Sequence, residues 1–279
     1  MYSKYHGCGN DFIITMYNED INYNVLSKKM CDRHIGIGAD TFIVVKETLR
    51  VLNGEKLYRV DFYNADGSLA PMCGNGIRCA ALYIKNKGLV RNNPFVVETM
   101  TGDRLINEID GEFQVNMGKP SFEANKLDID LSKINITNKS NDELFDYNCK
   151  FKDKEYNLNA IFMTTHHLVV PVETINQSDE CGDYFCKHEL FTKMINVDFV
   201  EIINRKHIKV RTYERGVGWT LACGSGATAS VAVLNRKGIV DDEVKVEFKL
   251  GTLTITKKDD EYLMRGPAEE IASDIVFKK

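Results

Sequence analysis

Apolar positions along the chain switch between two periods. After Cys73, Ile77, Ala81 and Ile84 recur at spacings of four and three, which marks one buried helical face. The same spacing returns after Cys223 at Ala227, Val231 and Leu234. Each run closes on Lys-Gly, at Lys87-Gly88 and Lys237-Gly238, where a helix stops. Helices are therefore predicted over 74–87 and 224–237. Period-two and continuous apolar stretches predict strands at 42–45, 57–64, 95–99, 104–109 and 113–117 in the first half. In the second half they fall at 161–171, 207–213, 243–248, 251–256 and 261–265. Residues 22–35 read as a helix ending at Arg33-His34, and 187–196 as a short helix. Residues 123–160 are rich in Asn, Lys and Asp and read as strands and loops on a solvated surface.

The two long helices belong to a repeat. Cys73-Gly74-Asn75-Gly76 and Cys223-Gly224-Ser225-Gly226 stand 150 positions apart, and Arg59-Val60-Asp61-Phe62-Tyr63-Asn64 answers Lys209-Val210-Arg211-Thr212-Tyr213-Glu214 at the same offset. His167 stands where the second half repeats the Gly9-Asn10-Asp11-Phe12 loop, and Asn196 stands opposite the Gly36–Phe42 region. The repeat divides the chain into 1–118 and 119–266, with Gly118-Lys119-Pro120 as the crossing. The tail, about 267–279, returns toward the first half.

Composition narrows the function. Net charge −4 over 279 residues leaves no electrostatic footprint for nucleic acid. The first residues lack a signal-peptide apolar region and no apolar run approaches a membrane span, so a cytoplasmic location without membrane partners is expected. Of the eight cysteines no two are spaced C-x-x-C, which argues against structural zinc and against a thiol–disulfide oxidoreductase. Cys31, Cys79, Cys149, Cys181 and Cys186 read as inert core thiols. Gly36-x-Gly38 lacks the third glycine and the preceding strand of a dinucleotide fingerprint. His34 reads as a helix C-terminal residue.

Cys73 and Cys223 are different, because each precedes a helix N-terminus. Unused backbone N–H groups and the helix dipole there hold an anion and lower a thiol pKa. Two thiols of similar pKa suit a reaction that inverts a stereocentre, one removing a proton and the other delivering one. Backbone donors at Gly74, Asn75, Gly224 and Ser225 are placed for a substrate carboxylate. Such a scheme needs no cofactor and no metal, and no lysine sits in a pyridoxal context. Other residues stay open on pattern alone. Asn10 is a turn residue or a ligand amide, and so is Asn196. Of His166 and His167, which point opposite ways on a strand, one faces a site or both are structural.

The chain resembles the diaminopimelate epimerase family over nearly its whole length. The motifs are His6-Gly7-x-Gly9-Asn10-Asp11-Phe12, Asn64-Ala65-Asp66-Gly67-Ser68, Met72–Cys79, Asn196-Val197-x-Phe199 and Tyr213-Glu214-Arg215-Gly216-x-Gly218-x-Thr220-x-Ala222-Cys223-Gly224-Ser225-Gly226. The resemblance implies an α/β (α+β) fold of two pseudo-symmetric domains, each a strand-rich barrel around a central helix. It implies a pyridoxal-independent isomerase that converts LL- to meso-diaminopimelate for lysine and peptidoglycan precursor synthesis, and a homodimer. Cys73 and Cys223 are then the acid/base pair. Asn64, Asn196 and Arg215 hold the distal, non-reacting centre, Glu214 and His167 support the amino groups or the thiols, and Asn10 lines the pocket.

Some positions depart from the family pattern. Thr41 stands for a usual Gln, Thr164-Thr165-His166-His167 for Gly-Asn-Pro-His, Trp219 for Glu and Cys8 for Leu. The Asn replaced by Thr165 helps bind the distal end in the family. A racemase of the same superfamily with another amino-acid substrate is the alternative. A non-catalytic amino-acid-binding protein is a further one, which retention of both cysteines disfavours.

Overall fold

Residues 1–52, 54–133, 142–178 and 180–277 are described by the computed structural model. Their elements fall into two units, Met1–Asn116 with the returning Arg265–Lys279, and Met117–Met264. The first unit runs β1 (Tyr2–Gly7), β2 (Asn10–Met16), α1 (Tyr23–Cys31), β3 (Thr41–Leu52), β4 (Glu55–Asn64), β5 (Leu69–Ala70), α2 (Gly74–Asn86), β6 (Phe95–Thr99) and β7 (Gly102–Ile109); the chain crosses to the second unit within β8 (Glu112–Gly118). The second runs β9 (Tyr147–Phe151), β10 (Lys154–Met163), β11 (Thr165–Val172), α3 (Gly182–Cys186), β12 (Asn196–Asn204), β13 (His207–Glu214), β14 (Gly218–Trp219), α4 (Gly224–Arg236), β15 (Glu243–Phe248), β16 (Gly251–Lys258) and β17 (Glu261–Gly266). After it, β18 (Glu269–Ile275) pairs antiparallel with β1 in the first unit. Both units are mixed α/β, strand-rich with few helices.

One connection pattern builds both. β2 lies parallel to β3, β3 antiparallel to β4, and β4 parallel to β6. In the second unit β11, β12, β13 and β15 repeat these senses in the same order. Register repeats as well. Phe12 lies opposite Thr41 as His167 lies opposite Asn196, and Ile43 lies opposite Phe62 as Asp198 lies opposite Thr212. The helix of each unit packs on its own strands, α2 on β1, β2 and β3 and α4 on β10, β11 and β12.

The helices form where the periodicity places them. Ile77, Ala81 and Ile84 of α2 and Ala227, Val231 and Leu234 of α4 are fully buried. Each buried Ile, Val or Leu contributes roughly 1.5–3 kcal/mol. Gly88 (φ +65°) and Gly238 (φ +71°) end the two helices in the left-handed region, which costs glycine nothing.

Three expectations change. The 22–35 helix stops at Cys31, because the Asp32 carboxylate turns back to accept the N–H groups of His34 and Ile35. The Gly36, Ile37 and Gly38 amides then bond the Asp32 and Met30 carbonyls. No helix forms at 187–196. The Asp130 and Thr192 amides bond Leu190 O and Asp128 O, and Ile129 bridges Phe191, so this stretch pairs with 128–130. The helix lies earlier, in α3, where a Cβ on Gly182 would stand 2.7 Å from the Trp219 ring. Finally, the 123–160 stretch is more than a solvated surface. Leu127, Leu144, Tyr156, Leu158 and Ala160 are buried in one core cluster with Phe185 and Phe199. Of that stretch, 134–141 lie outside the described residues.

Candidate active site

The α2 site begins at Cys73, the N-cap of its helix (φ −129°, ψ 117°). Its sulfur accepts the Gly76 N–H at 3.3 Å. Gly74 and Asn75 take the first two helical positions. Asn75 is buried; its amide nitrogen donates to Asn10 Oδ1 at 2.9 Å and its amide oxygen accepts from Arg78 Nη2 at 3.0 Å. Arg78 is fully buried and also donates to Gly74 O (3.1 Å) and Pro267 O (3.2 Å). A guanidinium with planar, fixed donors thus holds the first turn of α2, the Asn10 loop through Asn75, and the returning tail in one arrangement. Asn64 is exposed at the end of β4 and donates to Ser68 Oγ at 3.0 Å.

The α4 site repeats the cap. Cys223 has φ −128° and ψ 112°, and its sulfur accepts the Gly226 N–H at 3.4 Å. Gly224 and Ser225 begin the helix. Here the surroundings are polar. His167 is fully buried on β11, with Nδ1 2.7 Å from Asp198 Oδ2. Asp198 is also fully buried, and its other oxygen accepts the Thr212 hydroxyl at 2.7 Å. A carboxylate in this position only accepts, so Nδ1 carries the proton. His167 Nε2 lies 2.9 Å from both Thr165 Oγ1 and Ser225 Oγ, and Ser225 Oγ lies 3.4 Å from Cys223 Sγ.

This environment reverses one expectation. A helix N-terminus alone lowers a thiol pKa, but Cys223 is pushed well above the usual thiol range. Burial is the main cause, followed by the Glu214 and Asp198 carboxylates; the contacts from Ser225 and Gly226 offset only part. The five thiols read as inert are all buried, and burial raises each of them, Cys31 to about 12.

The remaining residues cluster around β12 and β13. Asn196 is buried; its Oδ1 accepts the Arg215 N–H at 3.0 Å and its Nδ2 donates to Thr165 Oγ1 at 3.2 Å. Glu214 accepts the Thr220 hydroxyl at 2.8 Å. The Arg215 side chain is exposed. Trp219 turns into the core, packing on Phe199 and Tyr213 with the Arg211 guanidinium 3.9 Å from its ring centre. His166 packs on Phe162 with Nδ1 3.7 Å from Asp128. Sequence reasoning missed Asp198, Thr212 and Arg78. The signal for the first two was Asp198 inside an apolar run and Thr212 on the face that Ile208 and Val210 share, at facing strand positions. Among the described residues no group of His, Cys, Asp and Glu is arranged to hold a metal, and no helix is long and apolar enough to cross a membrane.

Known proteins share this fold. The diaminopimelate epimerase family model matches residues 2–123 and 159–271. The chain belongs to this family. Diaminopimelate epimerases of Caldanaerobacter subterraneus subsp. tengcongensis and Clostridium perfringens are 38% and 37% identical to it, each over 97% of both chains. Among solved structures, a PhzF-family phenazine biosynthesis protein of Bacillus anthracis matches at TM-score 0.67 and 14% identity, over 97% of this chain and 96% of that one. At that identity the likeness carries the fold, while membership of the diaminopimelate epimerase family rests on the sequence matches.

Proposed function

We propose that the chain interconverts LL- and meso-diaminopimelate, with Cys73 and Cys223 as the acid/base pair. The observation that carries this reading is the duplicated cap. Two cysteines, each the N-cap of a 13-residue helix, share backbone angles within a few degrees and accept the same i+3 amide. Binding alone requires neither sulfur, whereas inversion requires two groups that exchange one proton each.

The environment of Cys223 sets the resting state. Held as a thiol, it delivers a proton to the substrate carbon, and by proton balance the Cys73 thiolate removes one. In the reverse direction the roles exchange. The first N–H groups of α2 and α4, at Gly74, Asn75, Gly224 and Ser225, take the substrate α-carboxylate and the charge that grows as the Cα–H bond breaks. The exposed Arg215 guanidinium offers the distal carboxylate a bidentate partner, and Asn64 and Asn196 offer amides. Glu214 and His167 support an amino group or a thiol, and Asn10 lines the pocket through its bond to Asn75. The thiols supply all the proton chemistry, so neither a cofactor nor a metal enters the scheme.

The test is Cα–H exchange in D2O, run on LL-diaminopimelate beside histidine, lysine and glutamate. Diaminopimelate should exchange fastest at equal concentration. Faster exchange of an amino acid with no distal carboxylate would replace this substrate with that one.

A further inference from the structure

His167 Nε2 carries more partners than it can satisfy at once. A neutral imidazole with its proton on Nδ1 has a single lone pair at Nε2, yet two hydroxyls stand 2.9 Å from it, those of Thr165 and Ser225. The hydrogen-bond order upstream is fixed. The Arg215 N–H donates to Asn196 Oδ1, which turns the Asn196 NH2 toward Thr165 Oγ1. Thr165 accepts there and keeps its own O–H for Nε2. Ser225 has a choice, because Cys223 Sγ lies 3.4 Å from its oxygen. Its O–H either shares Nε2, so that its oxygen accepts the Cys223 S–H, or turns to the sulfur.

We propose that Thr165 is a positioning residue for Cys223: by keeping His167 Nε2 occupied, it frees the Ser225 hydroxyl to turn onto the Cys223 sulfur whenever that sulfur is a thiolate. The inference rests on Cys223 being an acid/base group, as argued above. When Cys223 gives its proton to carbon, the Ser225 O–H rotates from Nε2 to Sγ. Thr165 alone then satisfies the buried nitrogen, which would otherwise be left unpaired. No proton leaves His167, and no heavy atom has to move. Asp198 fixes the direction of the whole chain by holding the Nδ1 proton. The ionisable groups acting on the sulfur are Glu214 from β13 and Asp198 from β12, with the His167 imidazole of β11 reaching it through Ser225.

The experiment reads the thiol directly. Free enzyme is alkylated with iodoacetamide across a pH series, and Cys73 and Cys223 are followed as separate peptides by mass spectrometry. In Thr165→Val the half-reaction pH of Cys223 should rise by about one unit, the tenfold effect of one hydrogen bond to an anion, with the Cys73 profile unmoved. Thr165→Ser should restore the wild-type profile. Ser225→Ala should raise the Cys223 value as well, and Thr165→Val/Ser225→Ala should raise it no further than Ser225→Ala alone. Thr165→Ala removes the same hydroxyl should the valine variant fail to fold. An unmoved Cys223 profile in the Thr165 variants or in Ser225→Ala, or additive shifts in the double variant, overturns the proposal. Because no substrate is present, these outcomes are separate from a failure of the epimerase reading, which shows instead as full turnover in Cys223→Ser.

Discussion

The strands beneath α2 are apolar at the positions where those beneath α4 are polar. A Cβ on Gly76 would stand 3.0 Å from the Phe62 ring and 3.2 Å from Ile43; on Gly226 it would stand 2.1 Å from the Asp198 carboxylate and 3.1 Å from the Thr212 hydroxyl. By strand register Phe12, Ile43 and Phe62 answer His167, Asp198 and Thr212. The first set needs only to be packed. The second is fully or almost fully buried and is tolerable only because its hydrogen bonds are made. One helix cap thus works over either floor, and the polar floor lies where a thiol is held protonated. The repeat duplicates a scaffold and then gives its two caps unequal surroundings.

The largest effect should come from the caps themselves. Cys73→Ser and Cys223→Ser should each lower epimerisation by about 10³-fold or more, since an alkoxide is far harder to form than a thiolate. Near-normal turnover in either, measured by coupled assay or by loss of optical rotation, would break the equivalence of the two caps.

Next come the floors. Asp198→Ala strands the His167 N–H and the Thr212 hydroxyl, and should cost about 3 kcal/mol or more in urea denaturation. Adding Thr212→Val removes one stranded group and should return about 1 kcal/mol. In the first unit, Ile43→Ala should cost roughly 2–5 kcal/mol as a cavity, and no second substitution at Phe62 should recover it. Equal behaviour of the two pairs would erase the distinction between packing and hydrogen bonding.

The glycines give a smaller contrast. Gly226→Ala forces its methyl onto a carboxylate held by two bonds and should cost about 2–3 kcal/mol. Gly76→Ala meets an aromatic edge and a methyl group that can each give a few tenths of an ångström, and should cost nearer 1 kcal/mol. Thermal or urea melts of the two variants check the order.

The smallest effect is alkaline. A thiol whose folded pKa is raised stays neutral while the unfolded thiol ionises, so stability is present below the unfolded pKa, about 8.5, and declines above it until the folded pKa is reached. In the first unit this applies to Cys31 and Cys79, and in the second to Cys149, Cys181, Cys186 and Cys223. Hydrogen exchange between about pH 8.5 and 10 should therefore show protection falling at the amides around these thiols. Protection that stays flat across this range would count against it.

Much of this was legible in the sequence. The helix faces, the paired caps and the β-strands before them show at short range, through spacing and through Lys-Gly stops. Asp198 was hidden by the same rule that found the strands. Alternation assigns a polar residue in an apolar strand to the solvent face, but β12 is buried on both faces from Asn196 to Val200. The helix expected at 187–196 failed for another reason: a partner near residue 129 decides its backbone, and nothing local announces that pairing. Trp219 stands among the departures from the family pattern, and its ring packs against the core with Arg211 over it.

The pairing of β18 with β1 also sets the order of events during synthesis. Residues 117–264 of the second unit form one uninterrupted stretch, whereas the first unit needs Arg265 onward. At the usual elongation rates the second unit takes on the order of ten seconds to emerge. Through that interval the β1 edge has no partner for Lys4, Tyr5 and His6, and the buried guanidinium of Arg78 lacks the Pro267 carbonyl. An unpaired strand edge is where chaperones bind and where aggregation begins. The half of the molecule that leaves the ribosome first is therefore the last to close, and a chain truncated after Met264 should be protease-resistant in its second unit while its first is still open.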